Sequence, residues 1–445
     1  MLSPSPPTFD RRLRIAVVGS GIAGLAAAYA VAARHSVTLF EAKRRLGGDS
    51  RTIEVAFGDR VFPVDTGFLV HNRPNYPTLT ALFARLGVAT QPSDMSFGVS
   101  IGDGRLEYAG TGLDGLFAQR VNLVRPGFIR MLLAIRRFYG RAPALLRKLP
   151  GIEAMTLGDL LELEAVPRLV QDDHVLPMAA AIWSTPVERM RAFPAAMYLR
   201  FFDSHRLFTL GERPRWRTVT GGARTYVDRI AATLTDVRLG TPVTEVTRRP
   251  DGVAVTAGGR SEAFDQVVLA AHADQALRLL ADPSADERAI LGAFDYHASQ
   301  AVVHRDPRLM PKRRKVWSSW NYIGAGAGAD QRISVSYWLN RLQTIDRAYP
   351  VFATLNPIRE PDPTLVVDRT TFAHPIYDLE AVAAQARLPA IQGRNRTWYC
   401  GAYCGYGFHE DGVVSGLDVA AGLGAAAEWR PGPSPQHAAG AGSGA

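Results

Sequence analysis

The chain has 445 residues, 47% hydrophobic and 21% charged, with a net charge of +9 and two cysteines. The length exceeds what one simple core supports, so two intertwined domains are expected. Two cysteines exclude a disulfide framework and a four-cysteine zinc site, no metal is expected, and no run of about 18 apolar residues is present to span a bilayer. The positive charge favours phosphate-bearing partners without choosing between nucleic acid and a lipid surface.

Residues 1–12 read as a loose leader, and Met1–Arg14 lacks the apolar core of a signal peptide, so a cytoplasmic protein is expected. Arg14–Gly19 (RIAVVG) is a short buried strand, Ile22–Arg34 an Ala-rich helix and Ser36–Glu41 (SVTLFE) a second strand. Between the first two lies Gly19-Ser20-Gly21-Ile22-Ala23-Gly24, in the strand-to-helix setting that a dinucleotide-binding loop requires. Gly19 permits the tight turn, Gly21 admits a pyrophosphate against the backbone, and Gly24 lets helix and strand pack closely. Ile22 and Ala23 open the helix, whose free N–H groups face the phosphates. Glu41, followed by Ala42, stands at the end of the second strand, where an acidic side chain binds ribose hydroxyls. This unit predicts an adenine dinucleotide and leaves NAD and FAD open.

Further along, residues 116–150 are predicted helical and basic. From Gly115 to Ile152 there is no Asp or Glu but Arg120, Arg125, Arg130, Arg136, Arg137, Arg141, Arg147 and Lys148. Phe128, Met131, Leu132, Ile135 and Phe138 or Tyr139 fall on one helical face. Thr218–Leu234 reads as a Gly-Gly turn (Gly221, Gly222) and a helix; Pro242–Arg248, Val253–Ala257 and Phe264–Ala271 read as strands. Residues 296–340 read as aromatic-rich strands, with Gly324–Ala329 as a flexible turn. Thr397–Gly401 is a last strand, Gly412–Gly424 a helix of small residues, and 430–445 a disordered tail. Cys400 and Cys404 read as structural. The fold expected is α/β: a Rossmann-type nucleotide-binding domain from 12–75, 215–275 and 395–425, interleaved with an α+β substrate domain from 76–214 and 276–394.

Several strings carry a resemblance. Arg45-Leu46-Gly47-Gly48-Asp49-Ser50-Arg51-Thr52 after Glu41, Val64-Asp65-Thr66-Gly67-Phe68, Thr241-Pro242-Val243, and Gly401-Ala402 followed by Gly407–Gly416 resemble the flavoprotein superfamily of flavin amine oxidases, phytoene desaturases and protoporphyrinogen oxidases. The resemblance implies FAD as cofactor. Gly47, Gly48, Ser50, Arg51 and Thr52, with Asp65, Thr66, Gly67 and Phe68, would then meet its flavin side. Val243 would meet the adenine by its backbone, and Gly401, Gly412, Val413 and Val414 would lie at the flavin, where a helix N-terminus stabilises negative charge. The strings VDTGFLVHN (64–72), HRDPRLMP (304–311), WSSWNY (317–322), SYWLNRLQ (336–343), LNP (355–357), His374-Pro375 and GYGFHEDG (405–412) are similar to one bacterial subgroup, whose members neighbour cyclopropane-fatty-acid synthase-like methyltransferases and are implicated in furan fatty acid synthesis. That implies dehydrogenation of a methylated fatty-acyl chain on phospholipid, with a lipid methyltransferase as a further partner. The lysine that amine-oxidising members place near flavin N5 has no counterpart in Ala289–Val303, which counts against an amine oxidase.

His409 and Glu410, before the flavin-facing helix, are the candidates to handle the second proton. Tyr406 is a third candidate and, with Trp320, Tyr337 and Trp338, a candidate wall of an apolar pocket; His71 and Asn72 are weaker ones. No second Rossmann fingerprint is present, so no NAD(P)H domain is expected, and oxygen or a diffusible carrier would reoxidise the flavin. The basic segment 120–148 is expected to lie on an anionic membrane surface, helped by Lys312, Arg313, Arg314 and Lys315, placing the protein on the inner face of the cell membrane. Nucleic acid is not expected as a partner, since no nucleic-acid module is recognisable. Two rivals remain at this level: a soluble amine or small-molecule oxidase of the same fold, and a non-catalytic flavoprotein partner of a lipid methyltransferase.

Overall fold

The computed structural model describes residues 11–209, 213–326 and 332–434. Most of the leader 1–12, half of the turn Gly324–Ala329 and the tail from 435 onward lie outside the described residues.

Five parallel strands form the first sheet, in the order Asp236–Arg238, Ser36–Phe40, Arg14–Val18, Gln266–Leu269, Thr397–Tyr399. The central strand is apolar because it is paired on both sides and covered on both faces. The helix Ile22–Val31 is buried nearly all round, which its sequence IAGLAAAYAV allows. It is crossed by the helix His409–Gly422, and the crossing is close enough that a Cβ on Gly416 would lie 2.3 Å from Ala23 O. A three-stranded antiparallel sheet (Val243–Arg248, Val253–Ala257, Arg260–Phe264) hangs from this unit.

The second unit is a seven-stranded mixed sheet, ordered Val366–Pro375, Tyr296–His304, Phe352–Leu355, Arg332–Trp338, Trp320–Ala325, Phe97–Ile101, Leu106–Ala109. A helical layer of residues 126–204 packs on it around Tyr198, Phe202 and Tyr322. The bidentate pair Arg51–Asp368 (2.7 and 2.8 Å) fastens the first unit to an edge strand of the second.

Four differences from the sequence-based expectations have plain causes. The expected strand Phe264–Ala271 is two elements, because Arg260–Phe264 closes a hairpin and Gln266–Leu269 enters the parallel sheet. The last helix starts at His409 rather than Gly412, since the Asp411 carboxylate accepts from Phe408 N (2.8 Å) and caps it there. Residues 71–92, expected to divide between the two domains at 76, stay with the first: Tyr76, Leu79, Leu82, Phe83 and Val88 join its core, and His71–Asn72 and Thr90–Pro92 both pair with Trp216–Val219.

The fourth concerns the basic helix, Pro126–Lys148. Its apolar face, Phe128, Met131 and Phe138 with Leu132, Ile135 and Tyr139 behind, packs into the core of the helical layer. That face is therefore spent on folding and is not free to meet a membrane, contrary to the expectation.

Candidate functional site

The glycine loop has the geometry of an anion cradle. Gly19 adopts φ +103°, and a Cβ there would sit 2.5 Å from Ala270 O; one on Gly24 would sit 2.0 Å from Gly19 O. Gly21, by contrast, has open space where its Cβ would be, and it caps the helix without any side-chain hydrogen bond. The first helical N–H groups are thus turned to a space that a diphosphate fills. Gly48 closes on this loop (a Cβ would be 3.0 Å from Gly21 Cα), and Gly47 N donates to Ser20 O at 3.0 Å. Glu41 braces the loop from below: its carboxylate accepts from Ser20 N (3.0 Å), Ser20 Oγ (2.5 Å) and Lys43 N (2.8 Å), while Ala42 is exposed beside it. Thr241 N donates to Glu41 O (2.9 Å), which brings the start of the Val243 strand to the acidic end of the crevice.

Arg45 belongs to this crevice and was not among the expected site residues. Its guanidinium donates to Gly48 O (2.8 Å), beside the open Gly21. Burial and the neighbouring Arg51 hold its pKa below the ordinary arginine value. Its signal was its place in the string between Glu41 and the Gly-Gly turn.

Beyond the Gly-Gly turn the expected residues divide. Thr66, Gly67 and Phe68 line a cavity with an empty volume of about 1520 Å³, its open mouth included. Ser50 is buried behind it, taking a hydrogen bond from the Tyr226 hydroxyl and pairing with His409 Nε2 at 3.0 Å. Thr52 and Asp65 do not reach the cavity. The Asp65 carboxylate accepts from Thr52 Oγ1 (2.6 Å), Ala223 N (2.8 Å) and Gln343 Nε2 (3.0 Å), and burial pushes its pKa up to about 6. Arg51 is likewise committed, to Asp368.

At the other end, Gly401 N donates to Ser415 Oγ (3.0 Å) and Gly412 abuts Ile22 (2.7 Å from its Cβ position to Cγ2). Val413 is fully buried in the core, so its side chain is turned from the cavity, and Val414 is half-buried.

His409 does line the cavity, stacked on Phe68 with ring centroids 3.8 Å apart. Burial pushes its pKa down to about 3, so it is neutral at working pH and a poor base. Glu410 points elsewhere: its two oxygens accept from Thr78 N and Leu79 N, both at 2.9 Å, and cap the helix Pro77–Arg85. It is corrected from proton carrier to structural anchor. Tyr406 leans on Phe201 behind the wall, which Gly407 and Phe408 form in its place. Trp320 and Tyr337 line the cavity; Trp338 does not, being packed with Trp317, Phe352 and Met310 on the far face. His71 and Asn72 are buried below it, with His71 Nδ1 and Asn72 Nδ2 unpartnered. Cys400 and Cys404 are free thiols, the first inside the core.

The group best placed for proton transfer is His374. It lines the cavity at the end of the strand Val366–Pro375, and its buried Nδ1 has no hydrogen-bond partner. Burial lowers its pKa, and the Asp49 carboxylate, also at the cavity wall, pulls it back up. A neutral imidazole with an open nitrogen results.

Burial of several histidines has a consequence for stability. His71, His174, His205 and His304 are held at about 4 and His409 at about 3, each by desolvation, against an ordinary 6.5. The folded state refuses protons that the unfolded chain takes, so stability is full above about 6.5 and is lost as pH falls toward 4. Each histidine contributes up to about 1.4 kcal/mol per pH unit in that window. Urea midpoints should drop steeply between about pH 7 and 5; a flat profile would show that these rings are not buried neutral.

No group of three or more metal-ligating side chains is present among the described residues, and no helix among them is long and apolar enough to cross a membrane. The cradle at Gly21, the uncapped helix, Arg45 and the broad cavity beyond fit an FAD laid from Glu41 to His409.

Comparison with known proteins agrees. The model of a family described as flavin containing amine oxidoreductase matches residues 22–423. Among solved structures, a CLA-producing fatty acid isomerase from P. acnes is 16% identical at a TM-score of 0.66, covering 93% of this chain and 99% of its own. A redesigned putrescine oxidase is 18% identical at 0.67, covering 93% and 100%. The cyclohexylamine oxidase from Brevibacterium oxydans is 16% identical at 0.67, covering 93% and 99%. At these identities the structures establish a shared fold.

Proposed function

This chain belongs to the flavin containing amine oxidoreductase family and is an FAD-dependent oxidoreductase, and from that premise we propose that its substrate is a fatty-acyl chain from which it removes two hydrogens. The subgroup resemblance in the sequence specifies a methylated chain on membrane phospholipid.

The observation that carries this reading is the wall of the cavity. Phe97, Met178, Ile182, Trp183, Phe201 and Leu355 surround it, with one carboxylate (Asp49) and one permanent cation (Arg213). Such a lining suits a long apolar molecule and excludes water. The fold itself does not decide, since similar structures include both a fatty acid isomerase and amine oxidases. One observation favours an amine: Asp49 next to aromatic walls could hold an ammonium.

Bound FAD supplies the two-electron acceptor for a substrate hydride. The chain's residues do the rest. The apolar wall holds the acyl chain extended, and His374 Nδ1 receives the proton that leaves the adjacent carbon as the double bond forms. Phe68 and the His409 ring, fixed by Ser50 and Tyr226, keep the wall rigid at the flavin end.

The test is anaerobic mixing of the yellow holoprotein with candidate substrates. A methylated phospholipid or its free acid is expected to bleach the flavin absorbance, and putrescine or cyclohexylamine is not. Bleaching by amines alone would favour the amine reading. A flavin that stays oxidised with every lipid, together with a stable complex with a lipid methyltransferase, would favour a non-catalytic partner.

A further inference from the structure

We propose that the surface formed by residues 103–125 and 312–315, together with the outer face of the basic helix, docks on an anionic phospholipid bilayer. This goes beyond the substrate reading and does not depend on it.

The first observation is apolar. Nine large hydrophobic side chains are strongly exposed among the described residues, and five fall in one stretch: Leu113, Val121, Leu123, Val124 and Leu133. Val124 is 79% and Leu113 75% exposed. Isolated exposed aliphatics are ordinary, whereas a run of them on consecutive short turns marks an interaction surface.

The second observation is the charge around them. The two basic clusters, far apart in sequence, meet here: Arg120 (2.7 Å) and Lys315 (3.6 Å) share the single carboxylate of Asp114. Lys312 pairs with Asp103 at 2.8 Å, and Arg313 reaches the buried Glu107 at 2.8 Å. These carboxylates are outnumbered. Arg130, Arg136 and Arg137, exposed on the adjoining helix, have no carboxylate partner among the described residues. Aliphatic tips ringed by uncompensated cations match a bilayer, with the tips below the headgroups and the cations at phosphate level. Nucleic acid would be served by the cations and has no use for the exposed aliphatics.

The same helix reaches the cavity wall. Its Tyr139 hydroxyl contacts His174 Nε2 (2.9 Å) and Met178 Sδ (3.6 Å), and Met178 lines the cavity.

The experiment is vesicle flotation of the full-length holoprotein with phosphatidylglycerol–phosphatidylcholine vesicles and with phosphatidylcholine alone. Binding is expected to the anionic vesicles, at least tenfold stronger than to the neutral ones. Two variants separate the contributions: Arg130→Glu with Arg136→Glu and Arg137→Glu, and Val121→Ser with Val124→Ser. Each set is expected to lower the partition coefficient at least tenfold while flavin content and melting temperature stay at wild type. Equal partition to both vesicle types, no binding to either, or variants that bind as wild type would overturn the proposal. So would tight binding to duplex DNA that blocks the vesicles while the Val121→Ser, Val124→Ser protein behaves as wild type.

Discussion

Gly21→Asp is expected to yield a folded, colourless protein. Gly21 sits at φ −61°, ψ 172°, a conformation that any residue adopts, and nothing lies within 4 Å of its Cβ position. Aspartate is moreover a favoured helix N-cap, better than glycine by about a few tenths of a kcal/mol. The apoprotein should therefore melt at or slightly above the wild-type apoprotein. The same carboxylate would stand where a diphosphate must lie. At about 4 Å and an effective dielectric of 20, each like-charge contact costs roughly 4 kcal/mol, which corresponds to a loss of affinity near a thousandfold. Flavin content after purification and FAD titration of the apoprotein check this. A variant that stays yellow would show that the cradle is not where the cofactor binds, and one that unfolds would contradict the open space at Gly21.

His374→Gln is expected to cut kcat by roughly 10²–10⁴ with FAD content and KM little changed, since glutamine keeps the polar bulk and cannot take the proton. The pH profile supplies the readout that a merely structural role would not move. Transfer needs neutral His374, so activity is lost as pH falls through its pKa, which burial holds below 6.5. Asp49 raises that pKa. Asp49→Asn should therefore move the acid limb of kcat/KM to lower pH; an unmoved limb, or one moved upward, would remove His374 from the chemistry.

The nucleotide loop was legible in the sequence because its requirements are local. Three glycines, a strand before, a helix after and Glu41 one strand later lie within about one βαβ unit, and each has one physical task. The cavity was legible only in part, and the misses follow from orientation. Adjacent helical residues point about 100° apart. Once the last helix begins at His409, His409 faces the cavity while Glu410 turns to the amides of Thr78 and Leu79. In the strand Arg332–Trp338 the sides alternate, so Tyr337 lines the cavity and Trp338 packs with Trp317 and Phe352 behind it.

His374 and Asp49 each stand in a string that carries the resemblance, His374-Pro375 and Arg45–Thr52, but only the docking of the two units brings them together, and neither string shows that. The basic segment misled differently. Its apolar face was real, but a helix has one such face, and here it is buried. Four of the five exposed aliphatics stand in the short turns before it, where periodicity has no meaning, and Leu133 stands on its outer face.

The most direct test of the account is the stoichiometry of one anaerobic turnover. Holoprotein mixed with an acyl-chain substrate is expected to lose its flavin colour while the chain loses two hydrogens by mass, one chain per flavin. A chain whose mass is unchanged, isomerised while the flavin returns to its oxidised state, or a flavin that bleaches only with amines, would contradict it.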